Sequence, residues 1–358
     1  EKFDLALVDY SKAIALDPEN PLRYSNRADL YQTLDEENKA LIDYSKAIEL
    51  DPEDPSNWYG RGDFHYNYGH YKEAIDDLEE ALKIKPSYVA AINTIGVIYE
   101  EQGKIDLAIE TYERGIALEE TAPESAAYCY RNRAAIYETQ EKFDLALDDY
   151  SKAIALDPEN PLRYSDRAYL YETLDEENKA FTDYSKAIEL APGNAKNWYD
   201  RGDFHYNYVH DKEALSDFEE ALKINPSNVD AINAIGVIYE EQGKIDLAIK
   251  TYEKGIALEE TAPEDAAYCY RNRGNIYQVQ EKFDLALVDY SKAIALDPEN
   301  PLRYSNRADL YQTLDEENKA LIDYSKAIEL DPEDPSNWYG RGDFHYNYGH
   351  YKEAIDDL

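Results

Sequence analysis

The sequence predicts an all-α solenoid. Three observations carry that reading: a fixed 34-residue period, a helical apolar pattern written twice in each period, and Pro and Asn placed where helices stop and start. Residues 1–34 return with few changes at 141–174 and letter for letter at 281–314. Ala40, Ala74 and Ala108 stand 34 apart; Ala146 follows after 38, and the cycle restarts at Ala180, Ala214 and Ala248. The chain therefore also reads as higher-order units 1–140, 141–280 and 281–358, the last identical to 1–78. Units of this length touch only their neighbours, so chain length counts repeats rather than domains, and 1–358 is expected to be one solenoid.

Within one period, residues 21–54, PLRYSNRADLYQTL and DEENKALIDYSKAIEL each place apolar residues at i, i+3, i+4 and i+7, which predicts two antiparallel helices. Pro18 ends the preceding helix, Asn20 is an N-cap, and Pro21 takes the first helical position; Asp54-Pro55 and Asn160-Pro161 repeat the device. Gly69 and Gly103 are expected in the left-handed conformation that closes a helix. Where the period stretches, Thr121-Ala122-Pro123-Glu124 and Thr261-Ala262-Pro263-Glu264 read as capping boxes that add one turn to the next helix.

The small, aromatic and Pro positions recur with the same spacing throughout. In residues 21–54 they are Ala28, Tyr31, Ala40, Tyr44, Ala47 and Pro52, with Tyr24 where Trp58, Trp198 and Trp338 stand in other repeats. This pattern resembles the tetratricopeptide repeat (TPR) family. Complete repeats are 21–54, 55–88, 89–126, 127–160, 161–194, 195–228, 229–266, 267–300 and 301–334; residues 1–20 hold the second helix of a partial repeat, and 335–358 are another partial repeat. The departures are His65, His205 and His345 in place of an aromatic Tyr, and Glu120 and Glu260 in place of Pro. The resemblance implies a right-handed superhelix of about eight repeats per turn, with 281–358 one pitch above 1–78.

One position departs from the family more systematically. The seventh residue of the repeat, apolar in the family, is Arg27, Arg61, Arg133, Arg167, Arg201, Arg273, Arg307 and Arg341. Sixteen residues later stand Asp43, Asp77, Asp149, Asp183, Asp217, Asp289, Asp323 and Asp357; where the Arg is Ile95 or Ile235, the partner position is Thr111 or Thr251. The exchange predicts a semi-buried, bidentate Arg–Asp bridge between the two helices of each repeat. Pairing with the preceding repeat fails, because Arg133 would then meet Thr111.

With 76 acidic against 37 basic residues the net charge is −39. This balance argues against nucleic acid and anionic membrane as partners, and for a basic one. No run approaches the roughly 18 apolar residues of a membrane span, and no signal peptide opens the chain. The chain has no Met and reads as a fragment, so the compartment stays open. Cys129 and Cys269 are one position repeated and read as buried free thiols. No catalytic constellation, cofactor motif or metal pair appears: His65 and His70 lack the i, i+4 spacing of helical ligands. Arg61-Gly62-Asp63 spells an integrin-binding tripeptide, but mid-helix, with Gly62 as the packing residue and Arg61 engaged in the bridge.

The expected function is therefore non-enzymatic protein binding. By resemblance, the first helices line a concave groove whose residues vary while the packing positions hold. They are Asp29, Tyr59, Asp63, Tyr66, Asn93, Glu100, Arg131, Asn132 and Tyr169, then Tyr199, Asp203, Tyr206, Asn233, Arg271 and Asn275. The groove is aromatic and acidic, with Arg131 and Arg271 as isolated positive points, and suits an extended segment bearing Lys or Arg. Arg271, Asn275 and Asn306 match the first part of the family's carboxylate clamp. Ser336 and Gly340 stand where its other cations belong, so the clamp is not expected. The alternative function is architectural: end faces without polar caps would stack head to tail into fibres.

Overall fold

The computed structural model describes residues 2–357, and every regular element among them is a helix. The chain divides into two compact units, Glu1–Leu190 and Ala191–Leu358. In the first, α1 (Lys2–Leu16) precedes five helix pairs: α2 (Pro21–Thr33) with α3 (Glu37–Leu50), α4 (Pro55–Asn67) with α5 (Tyr71–Ile84), α6 (Val89–Glu101) with α7 (Ile105–Ile116), α8 (Pro123–Thr139) with α9 (Phe143–Leu156), and α10 (Pro161–Thr173) with α11 (Glu177–Leu190). The second holds α12 (Ala195–Asn207) with α13 (Asp211–Ile224), α14 (Val229–Glu241) with α15 (Ile245–Ile256), α16 (Pro263–Val279) with α17 (Phe283–Leu296), α18 (Pro301–Thr313) with α19 (Glu317–Leu330), and α20 (Pro335–Asn347) with α21 (Tyr351–Asp357). Each pair packs on itself, and within a unit the second helix of one pair also touches the first helix of the next.

The starts follow from local chemistry. Asn20 Oδ1 accepts the Leu22 N–H at 3.2 Å and Asp54 Oδ1 the Ser56 N–H at 2.9 Å, with Pro21 and Pro55 supplying a first residue that needs no partner for its nitrogen. Near the start of six of the first helices (α2, α4, α10, α12, α18 and α20) an aromatic ring also closes the inter-repeat turn. Trp58 Nε1 donates to the Pro52 carbonyl at 2.9 Å, and the Tyr24 hydroxyl reaches the Pro18 carbonyl at 3.2 Å. Tyr replaces Trp at this position because either ring carries a donor to the same carbonyl.

The stretched repeats behave differently from expectation in one respect. Their first helices gain a turn, 17 residues in α8 and α16 against 13 in α2. No capping box forms: the N-cap is Ala122 or Ala262, and the Thr121 and Thr261 hydroxyls donate backwards to the Leu118 and Leu258 carbonyls at 3.1 Å. A one-turn excursion after α7 and α15 satisfies the Thr side chain before the helix begins.

Close packing dictates the small residues. Ala28, Ala40, Ala74, Ala108 and Ala146 are fully buried, and at Gly62 a Cβ would come 2.9 Å from Leu78 Cγ. Arg61-Gly62-Asp63 thus lies inside α4 with its glycine against α5, where no loop displays it. Both cysteines are buried and unbridged, and burial pushes each thiol up to about 12.

Between the two helices of a pair the chain turns through one left-handed residue. Gly69, Gly103, Gly243 and Gly349 fill it freely, but at the position of Gly69 the second copy carries Val209, at φ 60° and 81% exposed. A β-branched residue there is strained by about 1–2 kcal/mol, of which glycine's backbone entropy cancels only about 0.5–1 kcal/mol. Val209→Gly should therefore raise stability by about 1 kcal/mol, read as a higher urea midpoint, whereas Gly69→Val should lower it.

Candidate functional site

The expected groove residues lie on the first helices, which touch one another in sequence: α2 with α4, α4 with α6 and α6 with α8 in the first unit, and α14 with α16, α16 with α18 and α18 with α20 in the second. Polar pairs cross these seams. Tyr66 donates to Glu101 at 2.7 Å, Tyr206 to Glu241 at 2.9 Å, Asn132 to Asn93 at 2.9 Å and Asn272 to Asn233 at 2.7 Å. The surface is thus cross-linked by its own side chains.

A second layer rises from below. The Tyr44 hydroxyl donates to Asp29 at 2.6 Å and Gln32 at 3.1 Å; Tyr112 donates to Glu100, Tyr150 to Glu138, Tyr252 to Glu240 and Tyr324 to Asp309. Each ring stands on a second helix and pushes its hydroxyl between first helices, where a carboxylate receives it. Burial and that carboxylate drive these phenols well above the ordinary tyrosine range, so they stay protonated donors.

Two acidic depressions remain. In the first unit a cavity of about 630 Å³ is lined by Ser25, Asp29, Tyr44, Ser56, Tyr59 and Asp63. Asp63 accepts from Asn67 at 3.2 Å, and its carboxyl is raised by burial and by the charge of Asp29. Among the described residues no Lys or Arg nitrogen pairs with Asp29 or Asp63. The identical sequence places Asp309 and Asp343 together in the second unit, and Asp309 is raised by burial and by Asp343. Tyr59 packs edge-on to Tyr88, their centroids 5.2 Å apart. In the second copy Tyr199 instead lies against Phe218, raised by burial and then by Asp203 and Asp230. Tyr169 is 60% exposed.

Arg131 is not an isolated positive point. Its guanidinium forks onto Asp166 of the next repeat at 2.7 and 3.2 Å, and that contact raises it. In the second copy Asn306 stands where Asp166 does. With the Asn306 amide oriented to satisfy both ends, its oxygen accepts from Arg271 Nε at 2.9 Å, so Arg271 meets an amide instead of a carboxylate. Burial and the nearby charge of Arg303 lower it. Around it opens a cavity of about 550 Å³, with Asn275, Gln278 and Tyr290 beside Arg271 and with Asp309, held by Tyr324, also on its wall.

Beneath the groove the eight arginines of the seventh position all fork onto the aspartates sixteen residues on, through Nε and Nη2, at 2.6–3.0 Å. The aspartate side chains are 3–8% exposed and the arginines 16–22%. Where the pair is absent, Ile95 is buried and the Thr111 hydroxyl bonds back to its own helix at Leu107. Among the described residues no group of three or more His, Cys, Asp or Glu is placed to hold a metal ion, and no helix is long and apolar enough to cross a membrane.

Sequence profiles described as tetratricopeptide repeat match residues 23–54, 55–88, 89–121, 127–160, 163–194, 217–250, 267–300 and 303–334, and one described as TPR repeat matches 1–35. The chain belongs to the tetratricopeptide repeat family. Among solved structures it is similar to yeast Tom70, at 19% identity and a TM-score of 0.54 over 99% of this chain and 87% of that one. A tetratricopeptide repeat protein from Parabacteroides merdae is 20% identical, with a TM-score of 0.49, over 68% of this chain and 93% of the other. No curated protein sequence matches the chain. The likeness to Tom70 shows the TPR solenoid fold, and the matching tetratricopeptide repeat profiles support a protein-interaction scaffold.

Three features of this TPR array had no counterpart in the sequence reading. The Arg–Asp fork is three-way: Arg61 Nη1 also donates to Ser45 at 3.1 Å and Arg167 Nη1 to Ser151 at 3.0 Å, which ties each repeat to the one before. Glu113 takes the role of that Ser at Arg133, at 3.5 Å. The recurring Tyr-Ser-Lys-Ala was the available signal. The second feature is Asp166, legible only as a change from Asn26. The third is a buried guanidinium under the groove, Arg163 below Tyr128 and Arg303 below Tyr268, 4.2 and 4.5 Å from the ring centroids; it left no period-breaking mark.

At Asp149 burial outweighs the Arg133 contact and the carboxyl is raised, while Arg133 is raised by the same contact. Desolvation thus consumes part of the attraction. A double-mutant cycle with Arg133→Met and Asp149→Leu should give a coupling of about 2 kcal/mol, and each single change should speed hydrogen exchange in α8 and α9 more than the double change does.

Proposed function

We propose that this TPR scaffold binds an extended peptide through its first helices and seats a Lys or Arg side chain between Asp29 and Asp63, and again between Asp309 and Asp343. The supporting observation is the pair of carboxylates at each place. Burial and the charge of Asp29 raise the Asp63 carboxyl, burial and the charge of Asp343 raise that of Asp309, and among the described residues no side-chain cation answers either pair. A guest guanidinium or ammonium relieves that repulsion, and Tyr59 and Tyr88 supply ring faces for its stem. Charged guests would be captured fast and in a salt-sensitive way.

Lys/Arg-bearing peptides should bind at low ionic strength, and the combined Asp63→Asn and Asp343→Asn variant should weaken them about tenfold or more, read by fluorescence anisotropy. Because the Asp63 and Asp309 carboxyls are raised, affinity should fall on acidification, beginning at a higher pH than an ordinary carboxylate would give. Unchanged affinity in the variant would remove this reading.

A second reading applies to the Arg271 cavity and rests on the exchange of Asp166 for Asn306. In the first copy the protein's own carboxylate occupies Arg131; in the second, Arg271 meets the Asn306 amide oxygen in place of a carboxylate, so its charge, beside the Asn275 amide, is left for an acidic group of the guest. This is a single oxyanion grip, less than the family's full clamp. Asn306→Asp should abolish capture of Asp/Glu-bearing peptides by refilling the site from within, and Asp166→Asn should create a second such site, countable by calorimetry.

A further inference from the structure

In the second unit the two kinds of seat meet on one helix. Arg271 of α16 reaches the Asn306 amide of α18 across 2.9 Å, and Asp309, three residues beyond Asn306, feels the charge of Asp343 on α20. Residues three apart on a helix are neighbours on one face, their Cβ atoms about 5–6 Å apart. Arg271, Asn275, Asn306 and Asp309 all line the same cavity of about 550 Å³. Its walls therefore carry a cation and an anion at once.

These opposite charges do not answer each other. Among the described residues neither Arg271 nor Asp309 forms an ion pair: Arg271 donates to the amide oxygens of Asn306 and Asn272, and Asp309 accepts from the Tyr324 hydroxyl. Tyr290, on the same cavity wall, senses both; its phenol is raised by burial and then by Asp309, with Arg271 opposing. It cannot bridge them, because its hydroxyl donates to Asn275 and Gln278 at 2.8 and 2.7 Å. The first copy leaves neither charge open. There Asp166 forks onto Arg131, and Tyr169 stands where Asp309 does.

We propose that the surface of α16, α18 and α20 selects a dipolar guest: an extended segment in which an Asp or Glu and a Lys or Arg are separated by one residue. Its carboxylate lies on Arg271 and its cation between Asp309 and Asp343. This selectivity rests on the two seats proposed above being filled together, by one guest, at a fixed spacing. In an extended chain alternate side chains point to the same side and stand about 6.5–7 Å apart, close to the separation of Asn306 and Asp309 on α18. Neighbouring residues point to opposite sides, so a guest with adjacent charges can insert only one of them. Charges with four residues between them stand about 16–17 Å apart and overshoot the turn. Each end of the fitting guest meets a charge that the protein leaves without a counter-ion.

The test uses the whole chain with Asp63→Asn, which silences the first-unit seat, and three labelled peptides of identical composition. Each carries one Glu and one Lys in a Ser, Ala and Gly background, with one residue between the charges, none, or four. Their net charge is the same, so general attraction to this acidic chain is equal for all three. By anisotropy the one-residue spacing should bind about tenfold tighter or more than the other two, the gain of one charge-assisted contact. Asn306→Asp combined with Asp309→Tyr writes the residues of α10 into α18 at these positions. This variant should bind the three peptides alike and keep the parent's helical signal, since α10 already folds with both residues. Persistence of the preference in that variant overturns the proposal. So does equal binding of the three peptides to the Asp63→Asn chain; if each is still weakened when its Glu or its Lys is replaced by Gln, the separate seats stand and only their joint reading falls. Binding of none of the three removes the seats as well.

Discussion

The Arg–Asp fork is the constraint on which the rest of the architecture depends. Packing of alanines alone would let two helices slide and roll over each other at little cost, because small apolar contacts are non-directional. Two parallel bonds from one planar guanidinium to one carboxylate fix both the register and the roll of the pair. The same arginine then reaches Ser45 or its equivalents on the preceding repeat, so the contact that closes one repeat also orients it on its neighbour. Its position is held by rings: Arg27 lies 6.0 Å from the Tyr24 centroid and 5.7 Å from that of Tyr31. The two repeats that omit the fork bury Ile95 or Ile235 in apolar clusters instead. Replacing a buried ion pair by well-packed apolar groups is often close to neutral in energy, which is why both solutions coexist in one array.

Fixing the scaffold this firmly frees the first-helix surface to vary, but that surface is not a row of free side chains. Tyr hydroxyls rising from the second helices claim Glu100, Glu138, Glu240 and one oxygen of Asp29. What remains for a guest is whatever this internal bonding leaves charged and uncompensated. By that criterion the paired aspartates stand out, and Arg131 drops out because Asp166 already holds it.

Much of this was legible in the sequence, and the limits have physical causes. Period, helix starts, Gly69 and Gly103 follow from local chemistry that a short window contains. The Arg–Asp correspondence was readable because two repeats change both residues together, Ile95 with Thr111 and Ile235 with Thr251. Contacts that cross repeats were not readable that way. Arg131 with Asp166 and Tyr66 with Glu101 join residues 35 apart, and nothing in either helix's own pattern marks the partner. The capping box failed for a related reason: Thr121 had a closer acceptor in the turn it terminates, and the motif describes only the helix ahead of it.

The differences between the copies show how charge in the groove can change without disturbing the scaffold beneath it. Going from the first copy to the second, Glu138 becomes Gln278, Asp166 becomes Asn306 and Ala135 becomes Asn275. The Tyr150 hydroxyl donates to the Glu138 carboxylate at 2.9 Å; its counterpart Tyr290 donates to the amide oxygens of Asn275 and Gln278 at 2.8 and 2.7 Å. An amide oxygen accepts that proton as a carboxylate does, so the buried hydroxyl stays satisfied while two negative charges leave the neighbourhood of the arginine. Asp309, where the first copy has Tyr169, returns one of them on the far wall, bonded to Tyr324. Arg131 is thereby neutralised from within and Arg271 is not, although the helices that carry them pack alike. Substitutions that conserve every internal acceptor and alter only net charge are the ones a fixed scaffold tolerates, and they fall where a guest would meet them.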